Sequence, residues 1–331
     1  MKDDISKKKN KVDNCKNFHF SKFRIVISII IFLCILNVLS FTLIMPKSSS
    51  KAIILRAITS QLDNKNTEMT SKDFTKIQKL YLSDQRITNI KLLSKLKNLE
   101  VLTLYNLGPP KLYPTYLDRF LKKLGIRQYV LREKINLRPL GKLKNIRVLN
   151  LSGSLVTDLK PLKNLSSLQT LDLSMMSVSD YYHDPSKKTS GTQFLSSYGV
   201  RIPDLKPIEG LKNLQILDLS NTEVSDLEPL KNLESLQELR LEYSLVSDLE
   251  PLGGLANLQK LDFSGTSVKD LEPLRELTNL QELGFSNTWV TDIEPLKKLQ
   301  KLERIWLFDT SIKDEQVEDL RKALPGVKIS H

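Results

Sequence analysis

The chain has few of the residues from which catalytic and metal sites are built. Its 331 residues include two cysteines and three histidines. Cys15 and Cys34 both lie near the N-terminus, which excludes a disulfide framework from the rest of the chain. The histidines (His19, His183 and His331) are too scattered to suggest a metal site, and there is no glycine-rich phosphate loop or nucleophile elbow. We therefore expect no catalytic residues, no metal and no cofactor.

Leucine at a fixed period is what the chain has in abundance. Segments of the form LxxLxLxxT followed by VxDLxPLxxL recur at a constant interval through the C-terminal part. Nine units open at Ile77, Leu99, Ile146, Leu168, Leu214, Leu236, Leu258, Leu280 and Leu302. The interval from Leu214 to Leu236 is 22 residues, and it stays constant through to Leu302. A repeat of this length predicts a solenoid, in which each unit buries its apolar face only against its neighbours.

Each unit combines a strand pattern with a tight-turn pattern. Leu217 and Leu219 are two residues apart, as on one face of a strand, whereas the following apolar residues recur every three residues, as in a 3₁₀ turn. Asp226 precedes that turn, and Pro229 lies where a missing N–H costs little. The same aspartate recurs as Asp158, Asp180, Asp248, Asp270, Asp292 and Asp314. Because each is fixed to this turn, we expect caps and not metal ligands.

The stretches NLQILDLSNTEVSDLEPLKNL and NLQELRLEYSLVSDLEPLGGL resemble the 22-residue leucine-rich repeats of bacterial internalin-type proteins. The resemblance implies an α/β solenoid with a curved parallel sheet on the concave side and 3₁₀ turns on the convex side. It also implies a binding surface without catalysis. Where the family usually has an asparagine that bonds the backbone of the neighbouring loop, this chain has Thr222, Ser244, Thr266, Thr288 and Thr310. We expect the hydroxyls to replace that bond in part.

The repeats occupy residues 77–313, with insertions at about 105–134 and 181–204. A short linker and an N-terminal helical cap are expected at 46–76, with Ile53, Leu55 and Ile58 over the first repeat. A C-terminal cap is expected at 314–331. It would begin with a helix whose Val317, Leu320 and Leu324 share one face, and a last strand would follow near Ile329.

An uncharged run, 25–45, precedes the repeats. As a helix it would be about 31 Å long, which matches a hydrocarbon core. Residues 1–24 carry eight basic residues and residues 46–56 carry three. The excess predicts a cytoplasmic tail (1–24), a transmembrane signal-anchor helix (25–45) and an exported repeat domain. The alternative is a signal peptide cleaved near Ser40, which would release a secreted protein.

The net charge of +12 is unevenly distributed. Residues 111–145 have ten basic and two acidic residues, whereas residues 205–331 have 15 basic and 23 acidic residues. This asymmetry favours an oriented partner or an acidic surface polymer, or else it serves solubility alone, and the sequence leaves these alternatives open. No nucleic-acid partner is expected, because the basic stretch has no recognition fold.

The binding site is predicted on the outward positions of the strands. Most of these are small polar residues: Asp172, Asp218 and Asp262 in one column, and Ser174, Ser220, Ser264 and Ser286 in the next. Aromatic and arginine side chains dominate binding energies, which makes Arg240, Tyr243, Trp306 and Phe308 the candidate ligand contacts. Arg119 and Lys122 in the first insertion are a second contact. Alternatively, Trp306 and Phe308 pack under the C-terminal cap helix.

The sequence therefore predicts an exported, membrane-anchored module that binds a protein or a glycan. The alternative is a cytoplasm-facing regulatory scaffold, which resembles the phosphatase-regulating leucine-rich-repeat proteins of the same period.

Overall fold

The computed structural model describes residues 49–62, 70–83, 87–107, 135–154, 156, 158–175 and 204–331. The predicted tail (1–24), the predicted transmembrane helix (25–45) and most of both predicted insertions lie outside these residues. Within the described parts of the chain, no helix is long and apolar enough to cross a membrane.

The described repeats form one parallel sheet of ten strands, ordered in space as they are in sequence. The strands are β1 (Lys79–Leu82), β2 (Val101–Leu104), β3 (Val148–Asn150), β4 (Thr170–Asp172), β5 (Ile216–Asp218), β6 (Glu238–Arg240), β7 (Lys260–Asp262), β8 (Glu282–Gly284), β9 (Arg304–Trp306) and β10 (Lys328–Ser330). Equivalent residues of successive repeats pair directly, as Leu217 does with Leu239 and Leu239 with Leu261. This register stacks the leucines of all units into one continuous core.

The two faces of the sheet separate as the sequence pattern predicts. Leu239 is fully buried, and its neighbour Arg240 is exposed. The side chains that alternate with the core leucines, including Asp218, Arg240, Asp262 and Trp306, form what we call the open face. It is the face on which the sequence places the ligand contacts. The leucine-rich-repeat solenoid is therefore confirmed, and its transmembrane helix stays a prediction.

Short 3₁₀ turns cover the opposite side of the core. In the described residues they are Lys91–Lys95, Leu140–Lys142, Lys160–Asn164, Lys206–Ile208, Glu228–Leu230, Glu250–Leu252, Glu272–Leu274 and Glu294–Lys298. The aspartates before them cap them: Oδ1 of Asp226 accepts the N–H of Glu228 at 2.9 Å, and Asp158, Asp204, Asp248, Asp270 and Asp292 do the same. Asn89 and Asn136 take this role in the early repeats.

One described member of the predicted aspartate series does not belong to this set. Asp314 is the first residue of the C-terminal helix, so it caps no 3₁₀ turn. Asp180 lies outside the described residues. The remaining members confirm the capping interpretation, because their carboxylates are engaged by backbone N–H groups.

One set of side-chain hydrogen bonds between repeats comes from an asparagine position that the sequence analysis did not single out. Asn257 Nδ2 donates to the carbonyl of Glu234 at 2.8 Å, and Asn98, Asn145, Asn213 and Asn279 make equivalent bonds to the preceding repeat. The threonine hydroxyls instead bond within their own repeat, as Thr266 Oγ1 does to the carbonyl of Phe263 at 2.6 Å. The expectation that these hydroxyls bridge neighbouring loops is therefore wrong for the threonines, although Ser154 does reach Leu104 at 2.6 Å.

Two helices cover the N-terminal end of the core, where β1 is the first strand. Helix α1 (Ser50–Thr59) packs against β1, and α2 (Ser71–Lys76) follows it. Ile54 and Ile58 are fully buried, whereas Ile53 and Leu55 are only partly buried against the core. The prediction is thus right for Ile58 but misses Ile54, which lies one helical turn before Ile58 on the same face.

Helix α3 (Asp314–Ala323) packs on the last 3₁₀ turn, Glu294–Lys298. Val317, Leu320 and Leu324 are buried, and β10 follows beside β9. The helix therefore covers the turn side of the final repeat and leaves the open face of β9 uncovered by it.

Candidate functional site

One backbone position has an unusual conformation in the eight repeats in which the structure describes it. This residue, two or three positions after the strand, has a positive φ, between +51° and +72°. Its N–H continues the ladder into the next repeat, as Asn221 N–H does by donating to the carbonyl of Glu242 at 2.7 Å. The residues at this position are Asn106, Gly153, Met175, Asn221, Tyr243, Gly265, Asn287 and Asp309. Asparagine, aspartate and glycine tolerate this conformation, whereas a bulky side chain there is an outlier.

Met175 and Tyr243 are such outliers, with φ at +54° and +55°. Of the two, Tyr243 is aromatic. Its ring lies over Gly265, the equivalent residue of the next repeat: a Cβ on Gly265 would come within 2.5 Å of Tyr243 Cδ1. Yet 41% of Tyr243 remains exposed. A strained backbone that holds an exposed aromatic ring is a feature that points to function, because strain of this kind costs about 1–3 kcal/mol.

Arg240 lies beside it on the open face and is surrounded by carboxylates. Its guanidinium contacts Glu238 and lies 3.6 Å from Asp218 Oδ2. Burial alone would lower the pKa of Arg240, but the charges of Glu238, Asp218 and Glu242 outweigh it and raise the pKa. The guanidinium is therefore a fixed cation in an acidic setting.

Glu242 links these two residues in sequence and was not predicted as part of the site. Burial raises the pKa of its carboxyl above the ordinary value, and the nearby charges of Asp262 and Asp218 raise it further. The Ser220 hydroxyl opposes this by donating to Glu242 Oε2 at 2.6 Å. The site thus concentrates negative charge around one arginine.

Exposed apolar side chains line the edge of the sheet where the strands end. Tyr243, Leu245, Trp289 and Phe308, which we call the rim patch, all follow β6, β8 or β9 in sequence. Trp289 is 51% exposed and Phe308 is 47% exposed. Because strands stack at about 4.8 Å, Tyr243 and Phe308 lie about 14 Å apart along the stack.

The two aromatic residues of the last repeat do not pack under the cap helix. Trp306 is on the open face, opposite Ser330 of β10, and is partly exposed. Phe308 is largely exposed. The alternative interpretation of these residues is wrong, because α3 packs on the 3₁₀ turn at the other side of the core.

The structure thus brings Arg240 and Tyr243 together in one repeat and Trp306 and Phe308 together in another. Arg119 and Lys122 lie outside the described residues. Sequence reasoning missed Glu242 and Gly265. The signal for Gly265 was present, since it lies one full repeat after a tyrosine that replaces asparagine. Within the described ranges no group of His, Cys, Asp or Glu side chains is arranged to hold a metal.

Comparisons with known proteins agree with this architecture. Residues 278–322 match the family model for leucine-rich repeats, described as two copies. A search of curated protein sequences finds no match.

Solved structures share the fold over most of the chain. An internalin (inlF) from Listeria monocytogenes has 24% identity and a TM-score of 0.62, covering 85% of this chain and 74% of its own. Internalin C2 (inlC2) from the same organism has 24% identity and a TM-score of 0.53, covering 84% of this chain and 92% of its own. The plant peptide hormone receptor RGFR1, solved in complex with RGF2, has 17% identity and a TM-score of 0.52, covering 76% of this chain and 35% of its own. The chain therefore has a leucine-rich-repeat fold of the kind found in internalins.

The contact between Tyr243 and Gly265 predicts a strong energetic coupling. Gly265→Asn should destabilise the protein by about 1–3 kcal/mol, because the new Cβ displaces the tyrosine ring. In a Tyr243→Asn background the same change should cost far less, since asparagine already occupies this position in other repeats. Urea denaturation of the four proteins gives the coupling free energy.

Gly153→Asn is the matched control for this cycle. Gly153 has a similar φ of +68°, but a Cβ there would lie no closer than 3.5 Å to Asn106. We expect its cost to stay within about 0.5 kcal/mol. Equal losses of unfolding free energy for Gly153→Asn and Gly265→Asn would contradict the placement of the Tyr243 ring over Gly265.

The raised pKa of Glu242 predicts a pH-dependent stability. A carboxyl whose pKa is higher in the folded state stabilises the fold below its unfolded pKa of about 4.5, and this contribution is lost as the pH rises through the folded pKa. Glu242→Gln should therefore be more stable than the wild type at pH 7, with the difference vanishing near pH 4. Ser220→Ala should enlarge the pH dependence, because the Ser220 hydroxyl lowers this pKa. Thermal melts across this range measure both effects, and a pH-independent difference would exclude the linkage.

Proposed function

We propose that this protein is an exported, membrane-anchored leucine-rich-repeat module that binds a protein or glycan ligand and performs no catalysis. The observation that carries the proposal is Tyr243, an exposed ring kept in a strained conformation over a glycine that leaves room for it. Arg240 supplies a fixed charge beside it, and Trp306 and Phe308 extend the surface toward the C-terminal cap. Arg119 and Lys122 provide the second contact.

Fold analogy supports a protein ligand over a glycan. The plant receptor with this fold was solved with a bound peptide hormone. Aromatic and arginine side chains on a rigid frame are also the usual energetic centres of protein interfaces. Since folds host many functions, the residues of the surface and not the fold carry this proposal.

Export and anchoring rest on the N-terminal sequence. The uncharged run 25–45 is long enough to span a bilayer, and the basic excess before it favours a cytoplasmic N-terminus. Cleavage near Ser40 would instead give a secreted form. The alternative function, a cytoplasm-facing regulatory scaffold, requires the opposite orientation.

A topology measurement separates these functions. Reporters fused after His331 should be active only when the reporter is one that works outside the cytoplasm, because residues 49–331 are exported in this proposal. Protease added to intact cells should then digest the repeat domain. Activity from a cytoplasmic reporter alone would favour the scaffold.

A double variant tests the binding surface. Arg240→Ala combined with Tyr243→Asn should weaken ligand binding at least tenfold, because it removes the ring and the guanidinium that holds the carboxylates of Glu238 and Asp218 in place. The melting temperature should change little, since Arg240 is exposed and asparagine suits the backbone at residue 243. The measurement is capture of ligand by the detergent-solubilised full chain, compared between the wild type and the variant.

Tyr81→Asn is the control, because Tyr81 is an exposed aromatic residue on β1, five strands away from β6. It should leave capture unchanged. Undiminished capture by the Arg240/Tyr243 variant would move the site to the insertions or to the turn side.

A further inference from the structure

We propose that the rim patch and the carboxylates beside it receive a basic segment of a protein ligand, with a lysine or arginine side chain stacked on the Tyr243 ring. This inference rests on the proposed function and adds the chemistry of the partner. It follows from the exposed apolar surface, the surrounding charge and the fixed position of the ring.

The rim patch supplies the apolar part of this surface, and Tyr81, Tyr105 and Met175 in the N-terminal repeats are exposed to a similar degree. Four large apolar side chains between residues 243 and 308 are each at least 38% exposed, and they lie on one edge of the sheet. Clustered exposed apolar side chains of this kind mark interaction sites, whereas single ones need no explanation.

The charge next to this patch is negative. Residues 205–331 carry eight more acidic than basic residues. Asp218, Glu242 and Asp262 lie on adjacent repeats, and the charges of Asp218 and Asp262 act on the Glu242 carboxyl. A cation from a partner would relieve this accumulation, and an anionic partner would be repelled.

The three basic residues that the open face presents from β5 to β9 are already engaged. Arg240 contacts Glu238 and Asp218. Lys260 and Arg304 both reach Glu282 Oε1, at 3.2 and 2.5 Å. These cations hold the neighbouring strands together, so they leave the net charge of the patch acidic.

Tyr243 places an aromatic face within this acidic setting. Its N–H donates to the carbonyl of Ser264 at 2.8 Å, and Ser264 N–H in turn donates to Asp262 Oδ1 at 2.9 Å. Glu242 precedes it directly. A ring fixed over Gly265 loses little freedom on binding, and a cation over an aromatic face is attracted by the ring quadrupole. The negative charges of Asp218, Glu242 and Asp262, in the same repeat as Tyr243 and the two adjacent repeats, favour a cation over a neutral group.

The test uses dye-labelled octapeptides of alternating glycine and arginine or glycine and glutamate. They are titrated with the full chain in neutral detergent, and binding is followed by fluorescence anisotropy. We expect the arginine peptide to bind and the glutamate peptide not to bind, with an affinity that falls as salt is added.

Two variants taken from the chain's own repeats locate the site. Tyr243→Asn and Glu242→Ser introduce the residues found at equivalent positions, Asn221 and Ser220, so the fold is retained. Each should weaken binding of the arginine peptide about two- to fivefold, as expected for one exposed cation–π or charge contact.

Glu250→Ser makes the same charge change on the 3₁₀-turn side, and Tyr81→Asn removes an exposed aromatic residue on β1. Both should bind within twofold of the wild type. Equal losses in all four variants would show general attraction to an acidic protein and would overturn the inference.

Tyr243-dependent binding of chitotetraose without binding of the arginine peptide would overturn it in favour of a glycan. Neither result decides the proposed function, which is tested separately by the capture experiment with the Arg240/Tyr243 variant.

Discussion

The structure depends on a single turn, repeated where each strand ends. The chain must leave the sheet there while its N–H groups continue to bond the next repeat, and a left-handed residue satisfies both demands. Asn221 N–H reaches the carbonyl of Glu242, and Gly265 N–H reaches that of Ser286, at 2.7 and 2.8 Å. Because an equivalent turn recurs in the eight repeats in which this position is described, the core leucines of successive units meet in register. The continuous core and the flat array of open-face side chains both follow from that register.

This constraint explains which features were predictable from sequence. Core positions such as Leu217 and Leu239 follow from apolar periodicity, because a slip of one residue would expose every leucine in the strand. The aspartate caps follow from their fixed distance to proline. The phase of α1 does not follow, because consecutive apolar residues in Ile53, Ile54 and Leu55 fit several helix faces. Only packing against β1 selects Ile54 and Ile58.

The candidate site was only half predictable for a related reason. Arg240 and Tyr243 stand out as residue types, so the sequence identified them. The importance of Gly265 is a relation between two repeats: it becomes visible only when residue 243 and residue 265 are recognised as neighbours in space. Similarly, Glu242 looks like one of many surface acids until burial and the charges of Asp262 and Asp218 are known. The sequence could not decide whether the cap helix covers Trp306 and Phe308, because that depends on which side of the last repeat the helix packs.

The sixth repeat departs from the repeat pattern at four positions within five residues. Arg240 replaces an aspartate, Glu242 a serine and Tyr243 an asparagine or glycine. Ser244 stands where neighbouring repeats have threonine, and its hydroxyl is the one buried side-chain polar atom without a hydrogen-bond partner among the described residues. Three of these changes carry a local cost: backbone strain at Tyr243, a partly buried carboxyl at Glu242 and an unmet hydrogen bond at Ser244. The neighbouring repeats show that the fold does not require them. Met175 shows that one such cost, a bulky residue with positive φ, also occurs in the fourth repeat. The combination of an exposed ring, an exposed charge and a partly buried carboxyl in one segment supports the proposal that the sixth repeat is part of a binding surface.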